Sequence, residues 1–409
     1  MSEPTPEELV FQLMATPEGR ADPYPVYREI RERAPVFRGE ALSIWYVSGY
    51  EDCRSLLRDN RLGKGAPRSG GLFEGSEARV LGDGESTRER SMLFLNPPDH
   101  TRLRGLVSRA FTPRRMEAMR HRVSTMVDEL LDPIAEAGEA DMVEHLSYRL
   151  PVQVIGEMIG VPATDHDHMR EHIDKLVVTL EPSYTEEQAQ AAEASAVVVG
   201  EYMNELVASR RSDPADDLMS ALIEARDGAD QLSDGELVST VILLYAAGFE
   251  TTTNLISNGL WLLLSHEDQF SELRADRSLL AGAVEEILRY ESPVQLDGRQ
   301  AFEDVVVGDH TIPAGETAIT LLGGANRDPA MIEDPERFDI TRTEIPLISF
   351  ASGIHYCLGA NLARMEGQEA IGGLFARFDH MELVDDEPQW KPGLTLRGLA
   401  RLPVRVKPA

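Results

Sequence analysis

The sequence predicts a mainly α-helical protein with a few small β-sheets. Apolar residues recur at intervals of three and four over most of the chain, the spacing that places them on one face of a helix. Strand-like stretches are few. A chain of 409 residues often forms two or three domains. No repeat, low-complexity linker or hinge rich in proline and serine marks a boundary, so we expect one continuous fold.

The predicted elements are a series of helices with a few strands between them. Helical spacing covers residues 24–31, 100–109, 122–134, 150–159, 168–180 and 192–207. The strand-like stretches are 44–47, 301–307, 318–322 and the tail after residue 384. Residues 60–84 hold many glycines with little periodicity, which indicates a long loop. Loops of that length in compact domains are more often functional than idle.

One predicted helix is much longer than the others. Ser233 and Glu236 form a capping box ahead of a long apolar run, so we expect a helix from there to about Ser265. At about 1.5 Å per residue it would span roughly 48 Å, enough to cross a domain of this size. Its middle holds a glycine, a glutamate and three consecutive threonines, all unfavourable in a helix interior. The Thr251 hydroxyl can bond back to the Ala247 carbonyl there, which would leave room for a small molecule and a water.

The composition excludes several classes of protein. Lysine and arginine number 40 against 70 aspartate and glutamate, and this balance of −30 opposes binding to a nucleic-acid backbone. No stretch approaches the ~20 uninterrupted apolar residues of a membrane span. The acidic N-terminus lacks the pattern of a signal peptide. With two cysteines and no disulfide framework, we expect a cytoplasmic chain without a membrane anchor.

The most informative segment is 350–364, which reads FASGIHYCLGANLAR. Cys357 lies there in a glycine-containing loop just before a predicted helix. Gly353 and Gly359 let the backbone turn and approach a flat ligand, and the helix N-terminus favours a negatively charged sulfur. Such a thiolate is the axial haem ligand of oxygenases. A lone buried cysteine, as we interpret Cys53, is more often an inert small hydrophobic residue, but the length of this motif outweighs that alternative.

This segment resembles the cytochrome P-450 family, in which a Phe-x-x-Gly-x-His-x-Cys-x-Gly pattern carries the haem ligand. Ala351 stands where a glycine is common. The resemblance covers nearly the whole chain and implies a single cytochrome P-450 domain over residues 1–409. Haem b would lie between the long helix and the helix that follows the cysteine. The matching positions are Phe350, Gly353, His355, Cys357 and Gly359.

The resemblance also implies roles for residues elsewhere in the chain. Glu250 and Thr251 match the acid–alcohol pair that delivers protons during oxygen activation. Glu286 and Arg289 match a buried Glu-x-x-Arg support of the haem loop, with Arg337 as its third member. Taken alone, such a pair would be a surface ion pair worth under ~1 kcal/mol. The residues implied to bind the haem propionates are His100, Arg104, Arg299 and His355.

The implied activity is a monooxygenase reaction. One oxygen atom of O2 would be inserted into a small hydrophobic organic substrate, by hydroxylation or epoxidation, as a step of bacterial secondary metabolism. Since the chain has no flavin or nicotinamide fingerprint, electrons from NAD(P)H would arrive through a ferredoxin reductase and a ferredoxin. The residues expected to line the substrate pocket are Leu243, Ala246, Ala247, Val294, Leu296, Leu394 and Thr395.

Two other functions stay open at this point. A haem-thiolate peroxygenase would need no reductase, and a non-catalytic haem sensor would need no acid–alcohol pair. The stretch from His100 to Arg122 is rich in arginine and contains a single acid, Glu117. We expect this basic stretch to attract an acidic ferredoxin as a protein partner. Its arginines are Arg102, Arg104, Arg109, Arg114, Arg115, Arg120 and Arg122.

Overall fold

The computed structural model describes residues 3–64, 91–226, 230–385 and 387–408, and it confirms a mainly helical fold with small sheets. The chain has two compact units. The first unit comprises Met1–Leu62, Met119–Pro151 and Glu250–Ala409, and the second comprises Gly63–Ala118 and Val152–Phe249. A single domain over residues 1–409 stays a prediction. Residues 65–84 of the predicted loop lie outside the described residues.

Helices form most of the described structure. The predicted helices 24–31, 100–109, 122–134 and 150–159 are present, each with slightly wider bounds. Short helical turns of other types are Val143–Ser147, Ala163–Asp165, Val178–Leu180, Arg277–Leu279 and Gly353–His355. The α-helices are α1 Pro6–Ala15, α2 Pro17–Ala21, α3 Tyr24–Arg33, α4 Tyr50–Arg58, α5 Asp99–Ala110, α6 Pro113–Ala118, α7 Arg120–Ala137, α8 Arg149–Ile159, α9 His166–Val177, α10 Glu186–Ser212, α11 Leu218–Glu224, α12 Asp234–Ser265, α13 Glu267–Ala275, α14 Leu280–Tyr290, α15 Leu322–Ala325 and α16 Ala360–Arg377.

The strands are β1 Val36–Gly39, β2 Ile44–Val47, β3 Leu62–Gly63, β4 Glu139–Asp141, β5 Leu296–Ala301, β6 Val305–Val307, β7 His310–Ile312, β8 Thr317–Leu321, β9 Phe378–Leu383, β10 Gln389–Trp390, β11 Leu399–Arg401 and β12 Pro403–Pro408. They form a five-stranded sheet in the order β1-β2-β8-β5-β3, a three-stranded sheet β4-β12-β9, and the pairs β6-β7 and β10-β11. β2 runs parallel to β8, whereas β1–β2 and β5–β8 are antiparallel.

Two strand predictions need correction. The stretch 301–307 is not one strand, because Ala301 ends β5 and Val305 begins β6 after a turn. The stretch 318–322 is a strand only to Leu321, since Leu322 begins α15. Strands β1, β3, β4, β7 and β9 were not predicted, and β5 was predicted only at its last residue, because short strands with polar residues or glycine show little alternation. β3 lies at the start of the stretch 60–84, which was predicted to be a loop.

The long helix α12 starts and ends as predicted. The Ser233 N–H donates to Glu236 Oε2 at 2.8 Å, and the Glu236 N–H donates to Ser233 Oγ at 3.3 Å, which completes the capping box. Within the helix, a Cβ added at Gly248 would come to 3.0 Å from Ile155 Cγ1. The glycine that weakens this helix therefore allows α8 to approach it closely.

The core of the first unit packs against its five-stranded sheet. Cys53 is fully buried in this core, and its thiol donates to the Val47 carbonyl at 3.2 Å. Burial raises the pKa of the Cys53 thiol, so it stays protonated, which supports a structural role. Among the described residues, no helix is long and apolar enough to cross a membrane.

Candidate active site

Cys357 lies in a short loop that leads into α16. The thiol is half-buried, and the Cys357 N–H donates to the Phe350 carbonyl at 3.0 Å. The turn inside this loop is closed by the Tyr356 N–H, which donates to the Gly353 carbonyl at 3.1 Å. Gly359 is the residue that caps α16 at its N-terminus. The loop therefore fixes the sulfur close to the positive end of a helix, where the anion is favoured.

The backbone places different demands on three positions of this loop, Gly353, Ala351 and Gly359. Gly353 has a φ of +72°, and a Cβ there would lie 2.4 Å from the Leu57 carbonyl oxygen, so only glycine fits against α4. Ala351 has a φ of +57°, a left-handed conformation that glycine adopts at lower cost. A Cβ at Gly359 would meet only Cys357 Sγ, at 4.0 Å. The described part of the chain therefore leaves space beside the sulfur.

A buried ion pair lies behind this loop, as predicted for Glu286 and Arg289. Both side chains are 0% exposed, and Arg289 donates from Nε and Nη2 to the two carboxylate oxygens, each at 2.7 Å. Its remaining donors bind the carbonyls of Asn326, Pro335 and Arg337 at 3.3, 2.8 and 3.1 Å. A charge pair this completely bonded is costly to break, so it fixes the segments it joins.

Asn326, which sequence reasoning missed, connects this ion pair to the cysteine loop. Its Nδ2 donates to Ser349 Oγ at 2.8 Å, and its Oδ1 accepts from the Ile348 N–H at 2.8 Å. Ser349 in turn donates to the Leu288 carbonyl on α14 at 2.7 Å. The start of the cysteine loop is thus bonded to the same helix that carries Glu286. Nothing local in the sequence indicates this asparagine.

Arg337 does not occupy the position predicted for it. Its side chain is 63% exposed and lies 3.7 Å from Asp339, so only its carbonyl joins the cluster. The third cation is Arg342, whose Nε lies 3.4 Å from Glu286 Oε1 and which donates to the carbonyls of Glu333 and Asp334. Both arginines lie in one short irregular segment, and the path of its backbone turns Arg342 inward.

The residues predicted to bind propionates are found in both units. In the first unit, Arg299 is 2% exposed, and its Nη1 donates to Asp297 Oδ1 at 2.5 Å. Its Nη2 is buried and has no hydrogen-bond partner among the described residues. His355 lies half-buried in the turn before Cys357. In the second unit, His100 and Arg104 stand one turn apart on α5, buried and half-buried respectively.

Glu250 and Thr251 lie in the middle of α12, as predicted. Glu250 Oε1 accepts a hydrogen bond from Lys391 Nζ at 2.7 Å, a partner that the sequence did not indicate. Thr251 is half-buried, whereas Thr252 and Thr253 are buried. The role of this pair in proton delivery, and the bond from Thr251 to the Ala247 carbonyl, stay predictions.

The structure brings together several of the expected pocket residues of the first unit. Val294 forms an isolated antiparallel bridge with Leu396, and the Gln295 N–H donates to the Thr395 carbonyl at 2.9 Å. Leu296 follows at the start of β5, and Leu394 is buried. On α12, the residues expected to line the pocket are less buried than those of the following turns. These are Leu243 and Ala246, both half-buried, and Ala247, which is exposed.

Comparison with known proteins gives one consistent result. The sequence pattern of the family described as Cytochrome P450 matches residues 68–407. The chain belongs to the cytochrome P-450 family. Cytochrome P450 107B1 of Saccharopolyspora erythraea is 43% identical, with 93% of this chain and 94% of that protein covered. 6-Deoxyerythronolide B hydroxylase of the same organism is 41% identical, with 94% of this chain and 96% of that protein covered.

A solved structure agrees. P450BioI, crystallised with an acyl carrier protein ligated to hexadec-9Z-enoic acid, matches with a TM-score of 0.88 at 37% identity, covering 95% of this chain and 99% of that one. This protein is therefore a cytochrome P-450 monooxygenase, an oxidoreductase that hydroxylates organic substrates. An enzyme of this family is not a passive haem sensor.

Haem is the prosthetic group of this family, and the residues present fit it. The Arg299 Nη2 group is a buried donor without an acceptor, which costs about 1–3 kcal/mol unless a ligand such as a propionate accepts its hydrogen bond. A Cβ placed at Gly359 would have open space around it apart from the half-buried sulfur, so the backbone there leaves room for a ligand to approach. The described residues contain no cluster of three or more histidine, cysteine or acidic side chains that would bind a metal ion.

We expect Arg342→Met to lower the free energy of unfolding by about 2–4 kcal/mol, because the buried Glu286 loses one of its two cationic partners. Arg337→Met is the matched control, since it changes the same residue type in the same segment at an exposed position. Its effect should stay within about 0.5 kcal/mol. Chemical unfolding followed by circular dichroism measures both. Equal effects of the two substitutions would contradict the placement of Arg342 in the cluster.

Proposed function

We propose that this protein inserts one atom of O2 into a small hydrophobic molecule, as a tailoring step in bacterial secondary metabolism, with electrons supplied by a ferredoxin and its reductase. The observation that carries the proposal is the Cys357 loop, with its sulfur at the start of α16 and its base bonded to a buried ion pair. The Glu250–Thr251 pair on α12 favours oxygen activation with electrons over a peroxide-driven reaction.

The side chains have separate tasks in this proposal. When bound, haem supplies the electron-transfer and dioxygen chemistry. Cys357 provides the sulfur donor, and its N–H bond to Phe350 keeps the sulfur in place. The Thr251 hydroxyl donates protons to the reacting oxygen, and the Glu250 carboxyl resupplies them from water. In the first unit, the residues proposed to bind the propionates are Arg299 and His355.

The substrate class follows from the apolar lining. Val294, Leu296 and Leu394 are apolar. The two segments that carry them are joined by the bridge between Val294 and Leu396 and by the hydrogen bond from the Gln295 N–H to the Thr395 carbonyl. Thr395 adds one hydroxyl to this lining. A lining of this kind binds hydrophobic molecules and orients them with few polar contacts. One relative is a 6-deoxyerythronolide B hydroxylase. We infer from the small side chains of Ala246 and Ala247 on α12 that the substrate is bulky.

The electron donor would bind at arginines of the second unit. Arg109 and Arg114 are exposed, and Arg115 is half-buried, with its Nη2 3.5 Å from the fully exposed Asp216. Arg102 does not contribute, since it donates to Glu236 and Asp230. A local basic surface attracts an acidic ferredoxin despite the net charge of −30, because distant charges are screened beyond about 8 Å at physiological salt.

We expect Thr251→Ala to bind haem and substrate normally but to yield about tenfold less product per NADPH, with peroxide released instead, because the hydroxyl serves proton delivery. Product, peroxide and NADPH are measured with a substrate found by spectral titration of a compound library. Thr252→Ala, which changes the buried neighbouring threonine, should keep the parent yield. An unchanged yield in Thr251→Ala would reject the proton-delivery role.

We expect Arg109→Glu and Arg115→Glu each to slow ferredoxin-supported turnover about three- to tenfold at low salt, with smaller effects at high salt. Substrate-binding spectra should stay unchanged. Arg170→Glu makes the same charge change on α9 and serves as the control. If the substitutions on α5 and α6 slow the reaction no more than Arg170→Glu does, the ferredoxin binds elsewhere.

A further inference from the structure

The face of α12 that starts at the acid Glu250 binds the C-terminal hairpin. Glu250, Asn254 and Asn258 are spaced four residues apart and share one face of the helix. Each contacts the hairpin formed by β10, β11 and the loop between them. Lys391 Nζ lies 2.7 Å from Glu250 Oε1 and 3.3 Å from Asn254 Oδ1, and Asn258 Nδ2 donates to the Arg397 carbonyl at 3.1 Å.

The fit between α12 and the hairpin is close. A Cβ added at Gly398 would lie 1.8 Å from Asn254 Oδ1, so glycine is required where the hairpin passes the helix. Further along α12, the rings of Trp261 and Trp390 meet edge to face at 5.3 Å. The hairpin is therefore held along three turns of the helix that carries the acid.

The ion pair at the end of this face is partly removed from water. The side chains of Glu250 and Lys391 are 13% and 28% exposed. Charges with this little exposure are screened less than surface pairs, so the lysine restricts where the carboxylate can lie. Thr251, the expected proton donor, is the next residue of the helix.

Lys391 stands at the base of the loop expected to contact substrate. The Lys391 N–H donates to the Gly398 carbonyl at 2.9 Å and closes that loop. Leu394 and Thr395 lie inside it, and Thr395 accepts a backbone hydrogen bond from Gln295. A ligand that moves this loop would also move the ammonium group beside the acid.

We propose that Lys391 is a positioning residue for proton delivery, which holds the Glu250 carboxylate in place and couples it to the substrate loop of the C-terminal hairpin. This inference rests on the proposed function of Glu250 and Thr251. Lys391 neither gains nor loses a proton. The proton that Glu250 takes from water leaves it toward Thr251, and the ammonium only fixes the position of the carboxylate between these two transfers.

The first test measures peroxide released per O2 consumed by the haem-loaded protein without added substrate, using NADPH, a plant-type ferredoxin and its reductase. Lys391→Met should raise this ratio about two- to threefold, because poorly timed proton delivery favours peroxide over water. Lys391→Arg should restore the parent ratio, and Lys407→Met, at an exposed position of β12, should not change it. A ratio in Lys391→Met at or below that of the parent overturns the proposal.

The second test needs no turnover. Hydrogen–deuterium exchange of peptides covering residues 389–401 should become faster in Lys391→Met and in Glu250→Gln than in the parent protein. If the two side chains act as one pair, exchange in the double variant should be no faster than in either single variant. Unchanged exchange in both single variants overturns the coupling. The Thr251→Ala protein separates the two claims. If Thr251→Ala and Lys391→Met both leave the peroxide ratio unchanged, the proposed function fails. If Thr251→Ala raises the ratio and Lys391→Met does not, only the role of Lys391 fails.

Discussion

The Arg289 guanidinium is the group on which the candidate site of the first unit depends. It is fully buried and binds the Glu286 carboxylate together with three backbone carbonyls. One of those carbonyls belongs to Asn326, whose side chain holds the two residues before Phe350. Since a buried and fully bonded charge resists displacement, this one pair fixes the base of the loop that presents the sulfur.

The two chemical groups of the site are supported in different ways. The Cys357 loop is held by backbone hydrogen bonds and by a network of buried side chains, which suits a ligand that must stay in one place. The Glu250 carboxylate is held by one lysine on a hairpin. This ion pair keeps the carboxylate in place with fewer contacts than the cysteine loop has, which suits a group that has to receive and release protons during turnover.

Features that depend on a few neighbouring residues could be predicted from sequence. The cysteine loop and the start of α12 at Ser233 are of this kind, because caps and tight turns use local backbone groups. The choice between Arg337 and Arg342 could not be predicted, since the backbone path of an irregular segment decides which side chain turns inward. The pairing of Lys391 with an acid on α12 joins residues far apart in the chain and follows from how the hairpin packs.

The spectrum of the reduced carbonyl complex tests the central claim, that Cys357 is the thiolate ligand of haem. The chain has only two cysteines, so Cys53→Ala is a matched control for Cys357→His. The parent protein and Cys53→Ala should both show the red-shifted band of a thiolate-ligated haem, and Cys357→His should lack it while still binding haem. A red-shifted band in Cys357→His, or its loss in Cys53→Ala, would contradict this account of the site.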